Sequence, residues 1–198
     1  MLLAIDTAGP RLQLALRRAD AQPDTIVDEL GTGHAERIFP GIEALLARNN
    51  ASYAMLDRLA VTTGPGSFTG LRIGLSAARG IGLARRIPVI GVPSLLAISL
   101  SAELAAPLAV CVDARRGEAY LQLFEDRGVP LQHPVLSPAD AVTSHVPAGM
   151  KVLETPFCDI AAVAEWAATQ VPRDYPPEPV YVRSADAKPQ DGKRIARR

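Results

Sequence analysis

Aromatic side chains are scarce: Phe, Trp and Tyr make up 5% of the 198 residues. That leaves few platforms on which nucleic-acid bases could stack. An excess of one charge is missing too, with 21 basic residues against 21 acidic ones. General nucleic-acid or membrane-surface binding draws on surplus positive charge, so a neutral chain is not built for it. Cysteine occurs twice, at Cys111 and Cys158, without a Cys-x-x-Cys spacing. Two reduced thiols in a cytoplasmic protein are the expectation. The three histidines, His34, His133 and His145, show no His-Glu-x-x-His pattern, and no zinc site is expected. No apolar run approaches the ~20 residues of a membrane helix. Met1 to Ile5 lacks the basic flank of a secretory signal, and Asp6 follows at once. The Gly-x-Ser-x-Gly elbow of serine hydrolases and the Gly-Lys-Ser/Thr of a Walker loop are both absent.

What is present is a large apolar fraction, 48%, enough for a sizeable core. Leu2 to Ile5 reads as a buried strand ending at Asp6. Leu12, Leu14 and Leu16 alternate with other residues as a second strand, and Ile26 to Leu30 suits a third. Tight turns between them predict an antiparallel β-β-β start. From His34 to Arg48 the spacing becomes helical, with Ile38, Ile42, Leu45 and Leu46 on one face and Pro40 expected to bend or shorten the helix. Leu56 to Thr62 returns to strand, a glycine turn follows, and a helix is predicted from about Gly70 to Ala84. A strand over Pro88 to Gly91 and a helix over Ser94 to Glu103 close the first half. At Pro107 the pattern restarts: an apolar strand ending in Asp113, a turn at Arg115-Arg116-Gly117, then a strand over Ala119 to Phe124. This echo of the opening suggests two related halves. A helix near 159–168 and a strand near 180–182 are the clearest later elements. The polar, basic stretch 184–198 reads as a frayed tail.

The turn Gly64-Pro65-Gly66-Ser67-Phe68-Thr69-Gly70 joins strand to helix. Backbone N–H groups and the helix dipole at such a junction can hold a phosphate. Glycines there can equally serve a tight connection for steric reasons alone. On the helix that follows, Arg72, Ser76 and Arg79 form one narrow polar stripe at i, i+4, i+7. Apolar and small residues cover the rest, which points to burial on more than one side. Another chain, or ordinary sandwiching within one domain, could supply the second side. Asp6 and Asp113, each at a strand end, could hold a hydrated magnesium–nucleotide or simply cap their turns.

Five segments in order carry a family resemblance: Ile5-Asp6-Thr7, His34-Ala35-Glu36-Arg37, Thr63 through Gly74, Ile87 through Val92, and Asp113 through Glu118. Together they resemble the TsaB (YeaZ) family of bacterial proteins in tRNA threonylcarbamoyladenosine formation, long labelled glycoprotease-like. The likeness covers about residues 1–125 and returns weakly at Pro179 to Arg183. It implies an α/β fold of the actin/Hsp70/sugar-kinase (ribonuclease H-like) class, with two related lobes. An N-terminal lobe over 1–105, a reduced C-terminal lobe over 106–183 and a flexible tail over 184–198 are expected.

The family is similar to a metal-binding paralogue, TsaD, whose segment after the Ile-Gly-Val strand reads Asn-His-Leu-Glu-Gly-His. The two histidines there hold the metal. This chain reads Pro93-Ser94-Leu95-Leu96-Ala97-Ile98, so Ser94 and Ile98 stand where the ligands would be. An isoleucine offers no ligand atom. The resemblance therefore implies a non-catalytic partner of a TsaD-like subunit, with a TsaE-like P-loop ATPase joining and tRNA met indirectly. Pairing is expected through His34, Ile38, Ile42, Leu71, Gly74, Leu75 and Ala78, with homodimers when the partner is absent. No intrinsic cofactor is expected. ATP or ADP at the shared interface would touch Asp6, Thr7, Gly64, Gly66 and Ser67. A phosphotransferase of the sugar-kinase superfamily, or a metallopeptidase as the old label suggests, are the alternatives. The first needs a second glycine-rich loop, which is not found after residue 125.

Overall fold

The computed structural model describes residues 1–103 and 107–182. The lobe boundary at 105/106, Arg183 and the basic tail lie outside the described residues. Three strands open the chain as an antiparallel meander: β1 (Leu2–Asp6), β2 (Arg11–Arg17) and β3 (Asp24–Glu29). Helix α1 (His34–Arg48) follows, and Pro40 sits inside it without ending it. Then come β4 (Arg58–Gly64), α2 (Phe68–Arg85) and β5 (Val89–Pro93). The strands form one sheet in the order β3-β2-β1-β4-β5, with β1, β4 and β5 parallel.

Both faces of β1 are covered, which explains its unbroken run of buried residues. Side chains still alternate across it. Leu3 and Ile5 join the core under α1 and α2, together with Leu12, Leu14 and Leu16. Leu2 and Ala4 join the opposite core. That second core is built by α3 (Ser94–Ser99) and α4 (Ile160–Thr169), and Ala4, Ala15 and Ala60 let them approach the sheet closely.

The expected helix over 94–103 stops at Ser99. Its hydroxyl donates back to Leu96 O (2.7 Å) and accepts from Gly128 N (3.0 Å), so the next turn is given over to anchoring a neighbouring loop.

The second sheet holds β6 (Leu108–Arg115), β7 (Glu118–Asp126), β8 (Val129–Pro130), β9 (Val135–Pro138) and β10 (Lys151–Glu154). Its order is β10-β6-β7-β8, with β9 also on β7. Antiparallel β6–β7 with β10 parallel to β6 repeats the geometry of β1, β2 and β4, as the echo in the sequence suggested. The two-lobed α/β architecture is the fold class the resemblance implied.

The lobes are not partitioned as expected. After β10 the chain returns, and α4 packs on β1 and β2 of the first sheet. Arg58 on β4 holds it there: one guanidinium nitrogen donates to Ala167 O (3.0 Å), Ala168 O (3.1 Å) and Gln170 O (2.8 Å) at the open end of α4. Arg17 and Glu165 form a further ion pair at 2.6 Å. The segment beyond α4 then runs along the first sheet's edge, where Gly91 N donates to Tyr175 O (2.8 Å) and Val180 N to Thr63 O (2.8 Å). No strand forms over 180–182. Pro176, Pro177 and Pro179 remove the donors a ladder needs. Among the described residues no helix is long and apolar enough to cross a membrane.

Candidate functional site

Asp6 ends β1 at the floor of a cleft between the sheets and is buried, 4% exposed. Every acceptor site it offers is engaged. Oδ1 accepts from Ala8 N (2.9 Å) and Thr62 Oγ1 (2.7 Å). Oδ2 accepts from Gln13 Nε2 (3.0 Å) and the Cys158 thiol (3.5 Å). Burial, and then the Asp6 carboxylate beside it, push the Cys158 thiol well above its ordinary value of 9.0. Cys158 is therefore a neutral, inert thiol at physiological pH.

The glycine turn is clamped rather than open. Ser67 N donates to Ala8 O (2.7 Å), Gly70 N to Ser67 Oγ (3.2 Å) and Gly64 N to Ser94 Oγ (3.1 Å). Ser67 is thus the N-cap of α2. A Cβ on Gly66 would lie 2.5 Å from Ala8 O, and one on Gly70 would strike Thr7 O. Thr7 Oγ1 meanwhile donates to Gly70 O (2.7 Å). The glycines let the turn lie against the β1–β2 turn. Of the five residues expected at a nucleotide, Asp6, Gly66 and Ser67 line the cleft, while Thr7 and Gly64 lie buried beneath it.

The cleft holds about 1180 Å³. Its lining carries five carboxylates (Asp6, Glu36, Asp113, Glu118 and Glu154) and one arginine, Arg115. A polyphosphate would meet net negative charge there. Segment 155–158 also folds over the β1–β2 turn: a Cβ on Gly9 would lie 3.0 Å from Pro156 O, and the Arg11 guanidinium lies 3.5 Å from the Phe157 ring centre. These residues do not fit a nucleotide triphosphate. Of the two acids paired in the sequence, Asp113 is exposed, and one oxygen accepts from Arg115 N (2.8 Å) to cap its own turn. Ser94 is tied to Gly64, and Ile98 lies in the core at 4% exposed. Among the described residues no three His, Cys, Asp or Glu side chains gather as a metal site requires.

The seven residues expected at a partner interface are all buried within the chain itself. Ile38, Ile42, Leu75 and Ala78 pack between the helices and the sheet, Leu71 is buried against Gly64, and a Cβ on Gly74 would strike Thr7 Oγ1. His34 starts α1 at the cleft, 6% exposed, with no hydrogen-bond partner for Nε2 among the described residues. One sheet and one neighbouring helix are enough to cover the apolar side of α2.

What faces outward is a different set. A groove of about 520 Å³ runs between α1 and α2, lined by Ala35, Phe39, Phe68, Thr69, Arg72, Ile73 and Ser76, with Ile38 and Ala77 at its floor. Phe39 and Phe68 are 46% and 55% exposed. The Arg72 guanidinium stacks 3.8 Å from the Phe68 ring centre, and the segment beyond α4 brings Tyr181 to 6.1 Å from the same ring. The exposed aromatics carried no periodic signal in the sequence. For Phe68, its place four residues before Arg72 was the available clue.

A family model described as tRNA N6-adenosine threonylcarbamoyltransferase (TsaD) matches residues 28–170. An uncharacterised protein of Mycobacterium leprae is 32% identical over 209 residues, covering 96% of this chain and 56% of the relative. The tRNA threonylcarbamoyladenosine biosynthesis protein TsaB of Escherichia coli is 35% identical over 122 residues, covering 60% of this chain and 52% of that protein. The chain thus spans about half the length of each of these two relatives. Among solved structures, YeaZ from Pseudomonas aeruginosa superposes with a TM-score of 0.78 at 22% identity, over 91% of this chain and 98% of that one. The two share a fold.

Proposed function

The chain belongs to the tRNA N6-adenosine threonylcarbamoyltransferase (TsaD) family, as a member of its TsaB (YeaZ) type, and on that premise we propose that it serves tRNA threonylcarbamoylation as a non-catalytic subunit. It pairs with a TsaD-like threonylcarbamoyltransferase that modifies the adenosine next to the anticodon. One observation carries this reading. The two positions that hold histidine ligands in the paralogue are a serine bonded to the Gly64 backbone and an isoleucine packed in the core. A reacting group has no ligand to meet there.

The pairing surface in this proposal is the outer face of α1 and α2, with the groove between them. It is apolar at its centre and polar at its margin, as recognition surfaces are. The cleft behind it is lined mainly by carboxylates, so nucleotide phosphate is left to the partner subunits, including a TsaE-like ATPase. tRNA is met through the complex.

Reconstitution tests this. The chain is purified with the TsaD-like protein of the same genome, and threonylcarbamoyl-adenosine is measured in transcribed tRNA. The expected result is a stable pair, modification that needs both proteins with the ATPase, and none with this chain alone. Transfer by the isolated chain would overturn the non-catalytic reading. Absence of any pairing at micromolar concentration would overturn the subunit reading.

A further inference from the structure

Helix α1 starts at the cleft between the sheets, where Gly33, His34, Ala35 and Glu36 form part of the lining. Its N-cap is Gly33, at φ +87°, which has no side chain to accept from the first turn. Just before it, Gly31 N and Thr32 N are spent on Pro10 O and Leu30 O. The N–H groups of His34 and Ala35 meet no acceptor among the described residues. A helix of 15 residues therefore presents an uncapped, positive end to the cleft.

His34 adds an independent sign of a ligand. It is only 6% exposed, yet its Nε2 has no partner among the described residues. A buried polar nitrogen left unmet costs about 1–3 kcal/mol. As the Nε2–H tautomer it would donate to an anion beside the helix start. The opposite sign stands close by. Glu36 is exposed, and its Oε2 lies 3.8 Å from where a Cβ on Gly33 would be. The next residue, Arg37, does not neutralise it, because Arg37 is paired with Asp28 at 2.9 Å.

We infer that the start of α1 binds an α-amino acid: its carboxylate accepts from the N–H groups of His34 and Ala35 and from His34 Nε2, and its ammonium pairs with Glu36. The closeness of the two signs selects this class. An inorganic anion at the helix end would meet the Glu36 carboxylate, and a simple amine on Glu36 would meet the positive helix end. An α-amino acid carries both charges on one carbon and satisfies both. The side chain is left to the cleft, whose about 1180 Å³ leaves room for it. Glu154, a further exposed acid in the lining, disfavours a second negative charge there.

The test is titration of the full chain, without partners, followed by amide NMR shifts and calorimetry. The probes are L-threonine, glycine, L-glutamate and L-lysine, with threoninol (no carboxylate), N-acetyl-L-threonine (no ammonium) and inorganic phosphate as controls. Threonine leads because the family's transferred group is built on it. We expect amino-acid binding that shifts the amides of His34 to Glu36, and about tenfold or greater weakening for threoninol and N-acetylthreonine, since each loses a charge-assisted contact. His34→Ala and Glu36→Gln should each weaken threonine by about tenfold, with thermal melts checking that both are folded. Glu36→Gln should spare N-acetylthreonine, which has no ammonium to lose. No response to any amino acid at about 10 mM overturns the proposal. Phosphate or N-acetylthreonine binding as well as threonine makes this an anion site, and threoninol binding as well makes it a cation site; either overturns the proposal. Full affinity in both variants does so too. None of these failures touches the subunit reading, which the pairing experiment tests separately.

Discussion

Asp6 and Asp113 occupy the same place in two related halves, each ending an apolar strand just before a turn, yet they have opposite surroundings. Asp6 is closed in by four donors from the first lobe and from Cys158. Asp113 faces water and caps only its own turn. The difference comes from what lies above each turn. The β1–β2 turn is covered by the glycine turn and by segment 155–158, whereas the β6–β7 turn stands open at the cleft mouth. The duplicated pattern of strand, aspartate and turn thus became a structural keystone in one lobe and a surface feature in the other. A shared motif did not mean a shared role.

The comparison can be broken most severely at Asp6. Asp6→Ala strands the buried donors of Thr62, Gln13 and Ala8, and a loss of about 3 kcal/mol is expected in urea unfolding. Gly70→Ala comes next, because its Cβ meets the Thr7 backbone, which cannot yield as a side chain can. A loss of about 2 kcal/mol is expected by the same measurement.

The Cys158 thiol gives the buried side a pH signature of its own. Its value is raised in the folded chain, so its contribution is fully present below the ordinary value of 9.0 and is lost as pH climbs past it. Wild type should lose up to about 1.4 kcal/mol per pH unit more steeply than Cys158→Ala above pH 9. Parallel pH slopes for the two would remove the thiol from this account.

Gly117→Ala probes the open turn. Its φ of +73° opposes a side chain but nothing crowds the site, so conformation alone is charged, about 1 kcal/mol. Asp113→Ala should change stability least, by less than about 0.5 kcal/mol. If it rivalled Asp6→Ala, the contrast between the two turns would be wrong.

Much of this was readable from residue order. The alternation of Leu12, Leu14 and Leu16 marks β2, and the spacing of Ile38, Ile42, Leu45 and Leu46 marks α1, because each pattern has the period of the element that buries it. The strand pairings of the second lobe were less legible. β8 and β10 are short and largely exposed, so little apolar periodicity remains in them. The missing histidines were legible as letters. Where Ser94 and Ile98 point was not.

Sequence by itself determined the opening β-meander, its echo in the strand pair around Asp113, the helices of the first half, the family, and the loss of ligand atoms at Ser94 and Ile98, since all of these depend on residue type and local period. Tertiary structure decided the rest. Packing across long separations turned the glycine turn into a clamp on Ala8 and carried α4 back onto the first sheet under Arg58. It also chose which side of α2 faces outward. A helical period places Leu71, Gly74 and Ala78 on one side and Arg72, Arg79 and Leu83 on another, but only the sheet and α1 determine which side is covered.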